Sequence, residues 1–512
     1  MTRARTRKRA PAKAAGPHVI ETGANGVLVT TEADVDRLVA ALADEQKIVL
    51  HFHGGLVDAE AGRRIAAGLQ KTYEDAGAYP VFFVWHAGLL EVQKANLGEI
   101  VEEEIFGLLQ KWVTKFAAGK LMQEPGQKGL TLTTPSDVDV LTELAGRDDD
   151  REPYADLEIP DDLDELTPEE QAQFEAEVGV DPAVRNATAA IVDDLLPEDE
   201  VAVSRGVEVS RRGSGKTLMD PAVLDDFRQE AETAAAGQKG IVSGALLARK
   251  GARVLVRVIG RFRAGTAHGV YPTIVEEILR EFYLGNAGAL VWAAMKGETR
   301  DTFDDAAPAR GGRYFMSRLG GAIAAGKRPE VTLVGHSTGA VFIDNLLRHV
   351  EAMRKDPNES LPADFRFENL VFLAPACTFE DFESAVVNRD ELFKRFRMFT
   401  MTDEAECNDR LLSFVYPRSL LYFVSGVLET EPDGSSSPAK PLVGLNRYYG
   451  AAAKNEPQAI TVVRDFVAGD ATRVVWSPVA GGDGLASGAL HHGAFDDDEE
   501  VRASLVYLIS DD

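Results

Sequence analysis

A serine boxed by glycines becomes a nucleophile only where the backbone turns sharply around it. Residues 331 to 343, VTLVGHSTGAVFI, place Ser337 between Gly335-His336 and Thr338-Gly339. The chemistry such a serine can do is acyl transfer. That needs a base to take its proton, an acid to orient the base, and N–H donors for the oxyanion. The five-residue pattern alone is weak in a chain with 46 glycines, so its flanks decide. Before it, Val331, Leu333 and Val334 with Thr332 read as a buried parallel strand. After it, Phe342, Ile343, Leu346, Leu347, Val350 and Met353 recur at helical spacing. A strand turning into a helix at Ser337 is a nucleophile elbow, which admits only small neighbours.

The other members are sought at the carboxyl ends of later strands. For the base, the loop SGALHHGAFDDDEE precedes the apolar helix VRASLVYLI, and His492, beside Gly493, is preferred to His491. The acidic run after it suits the first turn of that helix. For the acid, Asp403 ends the apolar run FRMFTMTD, and Asp409 and Glu406 are rivals in the same loop. For the oxyanion, HFHGGL closes an early strand. Gly55 and Leu56 are the expected first donors and the N–H of Thr338 the second. The order Ser, Asp, His along the chain suits this arrangement.

The elements that must position these residues are strands alternating with helices. KIVLHFHGG (47–55), YPVFFVWHAG (79–88), VTLVG, NLVFLAPA (369–376), FRMFTMTD (396–403) and TRVVWSPV (472–479) are expected strands, with a helix across 58–77. Such alternation implies βαβ units, a mainly parallel sheet and a site at the carboxyl ends of its strands.

Between residues 120 and 285 the composition changes. Residues 145 to 200 are rich in Asp and Glu with interrupting prolines, and are expected to be solvated and in part disordered. A helix opens at Asp220-Pro221. Another, from Ile241 to Arg263, sets Leu246, Leu247, Val254, Val258 and Ile259 against Arg249, Lys250, Arg253, Arg257 and Arg261. Packing as a cap over the sheet is the favoured reading, contact with lipid the lesser one. VEVSRRGSGKT (207–217) has the ending of a phosphate-binding loop but Ser210 where a glycine is required, so nucleotide binding is not expected.

At 512 residues and 45% hydrophobic the chain can bury a large core, and a formal net charge of −27 argues against a nucleic-acid-binding surface. Cys377 and Cys407 form neither a disulfide framework nor zinc spacing. The basic residues 1–17 are expected to be a disordered tail. No apolar signal region and no membrane-spanning run follows, so a cytoplasmic location is expected.

Together the HGG turn, the GHSTG elbow, the acid after a later strand and the HHG loop resemble the α/β-hydrolase superfamily, over roughly residues 45–100 and 285–512. The resemblance implies an α/β fold with an eight-stranded-type, mainly parallel sheet flanked by helices. It implies core segments at 18–120 and 285–512 and a mostly helical cap or lid at 121–284. The implied activity is hydrolysis of a carboxylic ester or related acyl bond by Ser337, His492 and Asp403, without metal or cofactor. A small-molecule or lipid-like acyl ester is the expected substrate, with peripheral membrane contact left open. The chain departs from one esterase group in having Leu56 after HGG rather than a third glycine. An acyltransferase on the same residues, a membrane-surface lipase or phospholipase, and a non-catalytic interaction protein are the alternatives.

Overall fold

A computed structural model of the chain describes residues 18–55, 58–85, 97–123, 131–146, 151–160, 162–195, 217–233, 239–284, 287–412, 415–429, 439–450 and 456–510. The first part runs β1 (Val19–Thr22), α1 (Glu32–Leu42), β2 (Lys47–Phe52), α2 (Ala59–Asp75) and β3 (Tyr79–Trp85). A helical region follows with α3 (Glu104–Leu121), α4 (Asp137–Ala145), α5 (Pro168–Val180), α6 (Pro182–Leu195), α7 (Pro221–Thr233), α8 (Lys239–Ala264), α9 (Val270–Leu279) and α10 (Ala287–Asp301). The chain then returns to the sheet. Here it forms α11 (Gly311–Ala324), β4 (Glu330–His336), α12 (Thr338–Lys355), β5 (Phe367–Leu373), α13 (Phe379–Ala385), β6 (Phe393–Met401), α14 (Asp403–Asn408), α15 (Leu420–Phe423), α16 (Gln458–Ala468), β7 (Val474–Ser477) and α17 (Glu499–Ser510).

Local chemistry starts many of these helices. Thr31, Asp58, Ser136, Thr378 and Thr402 each accept a hydrogen bond from a first-turn N–H of the helix that follows. At α5, Thr167 and Glu170 form a reciprocal capping box behind Pro168.

The strands pair in the order β1-β3-β2-β4-β5-β6-β7, all parallel. Among the described residues the sheet has seven strands, where the resemblance implied eight. β1 escaped the sequence reading because four residues, VIET, are too short to show a period. β2 is flanked by β3 on one side and β4 on the other, so the winding direction reverses between β2 and β4. A crevice at the carboxyl ends of such a pair is where open α/β sheets take ligands. The register aligns those ends, pairing Phe52 with Gly335, His336 with Leu373, Leu373 with Phe399 and Met401 with Ser477. Successive β2 residues reach opposite faces: the His51 ring meets Tyr73 of α2, and the Phe52 ring meets Phe342 of α12. Helices therefore cover both faces, which is why β2 is apolar almost throughout.

The helical region is a bundle around α8, which packs against α3, α5, α6, α7 and α9. α3 belongs to it by packing, although it lies on the core side of residue 121. The acidic stretch from 145 is more ordered than its composition suggested, because α5 and α6 bury Phe174, Val178, Val184 and Val192. Leu246 and Leu247 are buried with them. The basic side of α8 is matched by acidic neighbours: Lys250 by Asp226, Arg249 by Glu230, Arg257 by Glu277 and Glu281, and Arg261 by Glu276 and Glu277. These ion pairs tie α8 to its neighbours in the bundle. No helix among the described residues is long and apolar enough to cross a membrane. Residues 1–17 and 207–216, read from the sequence as a tail and as most of the phosphate-loop decoy, lie outside the described residues.

Candidate active site

Ser337 follows β4 directly and caps α12 with φ 55° and ψ −114°, a conformation few non-glycine residues adopt. The surroundings hold it there. Its N–H donates to the Leu373 carbonyl at 2.8 Å, and its own carbonyl accepts from Ala340 at 3.1 Å and Ala376 at 3.2 Å. The flanking glycines are required by space. A methyl group on Gly339 would lie 2.1 Å from the Phe52 carbonyl oxygen, and one on Gly335 would lie 2.7 Å from the Gly339 carbonyl oxygen. The elbow and the carboxyl end of β2 thus touch backbone to backbone.

The HGG turn sits against this elbow. A methyl group on Gly54 would lie 3.3 Å from the Ser337 Cβ, and one on Gly55 would lie 2.5 Å from both Thr338 Oγ1 and Met295 Sδ. Thr338 opens α12, so its N–H has no acceptor within the helix. Leu56 lies outside the described residues. His53 fixes the turn: its Nε2 accepts from the Trp85 N–H at 3.2 Å, so Nδ1 carries the proton and donates to the Gly54 carbonyl at 2.7 Å. Its ring stacks on Trp85 with centroids 4.3 Å apart. Burial holds the His53 imidazole down at about 4, and the ring is neutral.

His492 arrives on the loop between β7 and α17. Ser477 Oγ donates to the Ala489 carbonyl, and the Asp498 carboxylate accepts from the N–H groups of Gly488 and Val501. His491 is exposed while His492 is buried. The His492 ring packs 5.3 Å from the His336 ring, and among the described residues neither of its nitrogens has a hydrogen-bond partner. An orphaned buried imidazole is costly, and such groups mark sites where a partner arrives later. Burial, and then the charge of His336, push its basicity well below the usual imidazole range.

Asp403, Glu406 and Asp409 part company in space. Asp403 is the first residue of α14, and its carboxylate accepts the Tyr422 hydroxyl. No hydrogen bond joins it to the His492 ring. Glu406 is fully buried, and burial pushes its carboxyl well above the usual range, which disfavours the charged form needed to hold an imidazolium. Asp409 alone of the three meets His492, accepting its backbone N–H at 2.8 Å. The structure therefore sets Gly54 and Gly55 against Ser337 and Thr338, sets His492 beside His336 with its backbone N–H on Asp409, and leaves Asp403 with Tyr422.

Sequence reasoning missed one part of the site. Asp496, taken for a helix-start charge, is buried beneath the elbow, with Oδ2 2.7 Å from His336 Nδ1 and Oδ1 3.8 Å from His51 Nε2. His336 Nε2 in turn donates to the His492 carbonyl at 3.0 Å. The signal for Asp496 was slight: a histidine beside the nucleophile that must be buried and paired. Among the described residues no three His, Cys, Asp or Glu side chains converge as a metal-ligating group. No family model, no curated protein and no solved structure matches this chain.

Proposed function

We propose that the chain is a serine hydrolase with an α/β-hydrolase type of sheet, cleaving a carboxylic ester or related acyl bond. One observation carries the reading: the strained backbone of Ser337, at the crevice between β2 and β4, with the HGG turn pressed against it. Strain of this kind persists where the surroundings over-determine it, and a nucleophile elbow uses it to present the hydroxyl.

Ser337 attacks the acyl carbonyl and gives its proton to His492. The N–H groups of Thr338 and Gly55 take the charge developing on the carbonyl oxygen, and the leaving alcohol takes the proton back from His492. Water then repeats the sequence on the acyl-enzyme. In this reading Asp409, which accepts the His492 backbone N–H, takes the role of steadying the imidazolium that was expected of Asp403. The ring nitrogens of His492 are unengaged at rest, and the hydrogen bonds tighten when substrate fills the crevice.

A fluorophosphonate probe tests the reading. Wild type should be labelled at Ser337, and Ser337→Ala should lose both the label and hydrolysis of p-nitrophenyl esters by several orders of magnitude. Ester hydrolysis unchanged in Ser337→Ala would overturn it.

A further inference from the structure

We propose that His336 is a permanently charged strut, paired with Asp496 beneath the elbow, that positions the base loop by gripping the His492 peptide carbonyl. The inference rests on the reading of His492 as the base. It concerns a residue that touches neither substrate nor the reacting atoms.

The geometry fixes the charge. His336 Nδ1 faces the Asp496 carboxylate at 2.7 Å and Nε2 faces the His492 carbonyl at 3.0 Å. Both partners only accept, so both ring nitrogens must carry protons, and the ring is an imidazolium. The other rings near Asp496 do not share this state. His51 directs Nδ1 at the Tyr73 hydroxyl at 2.9 Å and stands 3.8 Å from the carboxylate, and His53 is neutral by its hydrogen bonds. Burial keeps His51 down at about 4, whereas Asp496 raises His336 against its own burial. One carboxylate thus holds one charged histidine of three.

Two consequences follow for His492. Its loop is tied at both sides of one residue: the N–H to Asp409 and the carbonyl to His336. A rigid peptide at that residue restricts where the ring can swing. Its ring also sits 5.3 Å from a fixed positive charge, which disfavours its protonated form and keeps it neutral at rest. The charged or titratable groups facing this pair are Asp496 and Asp497 from the loop before α17, His51 and His53 from the end of β2, Asp409 after α14, and His491 on the base loop. Of these, Asp496 alone is buried against His336 as a counter-charge.

His336→Gln separates a positioning role from a merely structural one. Gln can place an amide N–H where Nε2 donates to the His492 carbonyl but carries no charge, so Asp496 would be left uncompensated beside His492. The acid limb of the kcat/KM profile should move up by about one to two pH units, as expected for a charge about 5 Å away. His336→Ala, lacking the donor as well, should lose a further tenfold or more in kcat with KM within about twofold. A limb that stays in place in a folded His336→Gln enzyme would overturn the proposal.

Histidine-selective 15N NMR on the full wild-type chain gives a readout without turnover. His336 should be protonated at both nitrogens at about pH 8, where His51 and His53 carry one proton each. A singly protonated His336 there would overturn the charged strut whether or not the variants fold. Failure of the fluorophosphonate to label wild type would instead remove the hydrolase reading and leave the NMR result to decide the strut.

Discussion

Adding a single methyl group at Gly339 should separate the elbow from the turn that faces it. That methyl would lie 2.1 Å from the Phe52 carbonyl oxygen, 2.9 Å from the Phe52 carbonyl carbon and 3.2 Å from the His53 carbonyl oxygen. All three are backbone atoms, so no side chain can rotate away. Ordinary carbon-to-oxygen contact begins at about 3.3 Å, so α12 and the end of β2 must part by about 1 Å. Overpacking of this kind costs about 1–3 kcal/mol. The same displacement carries Gly54 and Gly55 away from Ser337 and Thr338, and a misplacement of that size costs about 100-fold in rate. Urea unfolding gives the first quantity, and the second-order rate of fluorophosphonate labelling gives the second. Gly321→Ala is the control, because a methyl there meets nothing within 4 Å. On α11 it should be neutral or stabilising by up to about 1 kcal/mol. A Gly339→Ala protein that unfolds and labels like wild type would show that the backbone contact between elbow and turn is not tight, and the reasoning would fail.

Further outcomes follow from the same geometry. Asp409→Asn should lower ester turnover about 10³- to 10⁴-fold and Asp403→Asn less than about tenfold; the reverse order would return the acid role to Asp403. Asp344, fully buried on α12, has its carboxyl pushed up to about 8 by burial, with Arg348 opposing and Asp381 adding to the rise. The folded chain then holds a proton that the unfolded chain has lost, so this group makes stability fall as pH rises from about 4 to about 8, by about 1.4 kcal/mol per unit. Asp344→Asn should flatten that slope in urea midpoints taken across the range, and an unchanged slope would refute the assignment. In the helical bundle, Lys120 meets Glu170 at 2.8 Å with both side chains buried. Lys120→Met should cost about 3–5 kcal/mol by stranding a buried carboxylate, and Lys120→Met with Glu170→Gln should recover part of it in the same unfolding assay.

The elements of the sheet were legible where one local period ran long enough. α12 shows its buried face at three- and four-residue spacing, and β2, β3 and β4 are apolar because both of their faces are covered. The acidic stretch misled because composition counts charges without their spacing. Glu169, Glu175 and Asp193 lie on exposed or half-exposed sides of α5 and α6, while Phe174, Val178 and Val192 face α8. Net charge described the outside of those helices and said nothing about the stripe that folds them.

The candidate site divides along the same line. Ser337 and its glycines were readable because the elbow is a local shape, forced by five consecutive residues. Asp403 and Asp409 could not be ranked from the chain alone, since both follow the same strand within eight residues. The choice between them depends on where Tyr422 stands and how α14 turns after its Thr402 cap. The pairing of His336 with Asp496 is more remote, joining residues 160 positions apart. Each had an adequate local explanation already, one as an elbow neighbour and the other as a first-turn acid. A residue with a sufficient local reason gives no sequence signal of a second role. The sheet creates that second role, because β4 delivers His336 to the same end where the loop before α17 must close, and a buried histidine there needs a carboxylate.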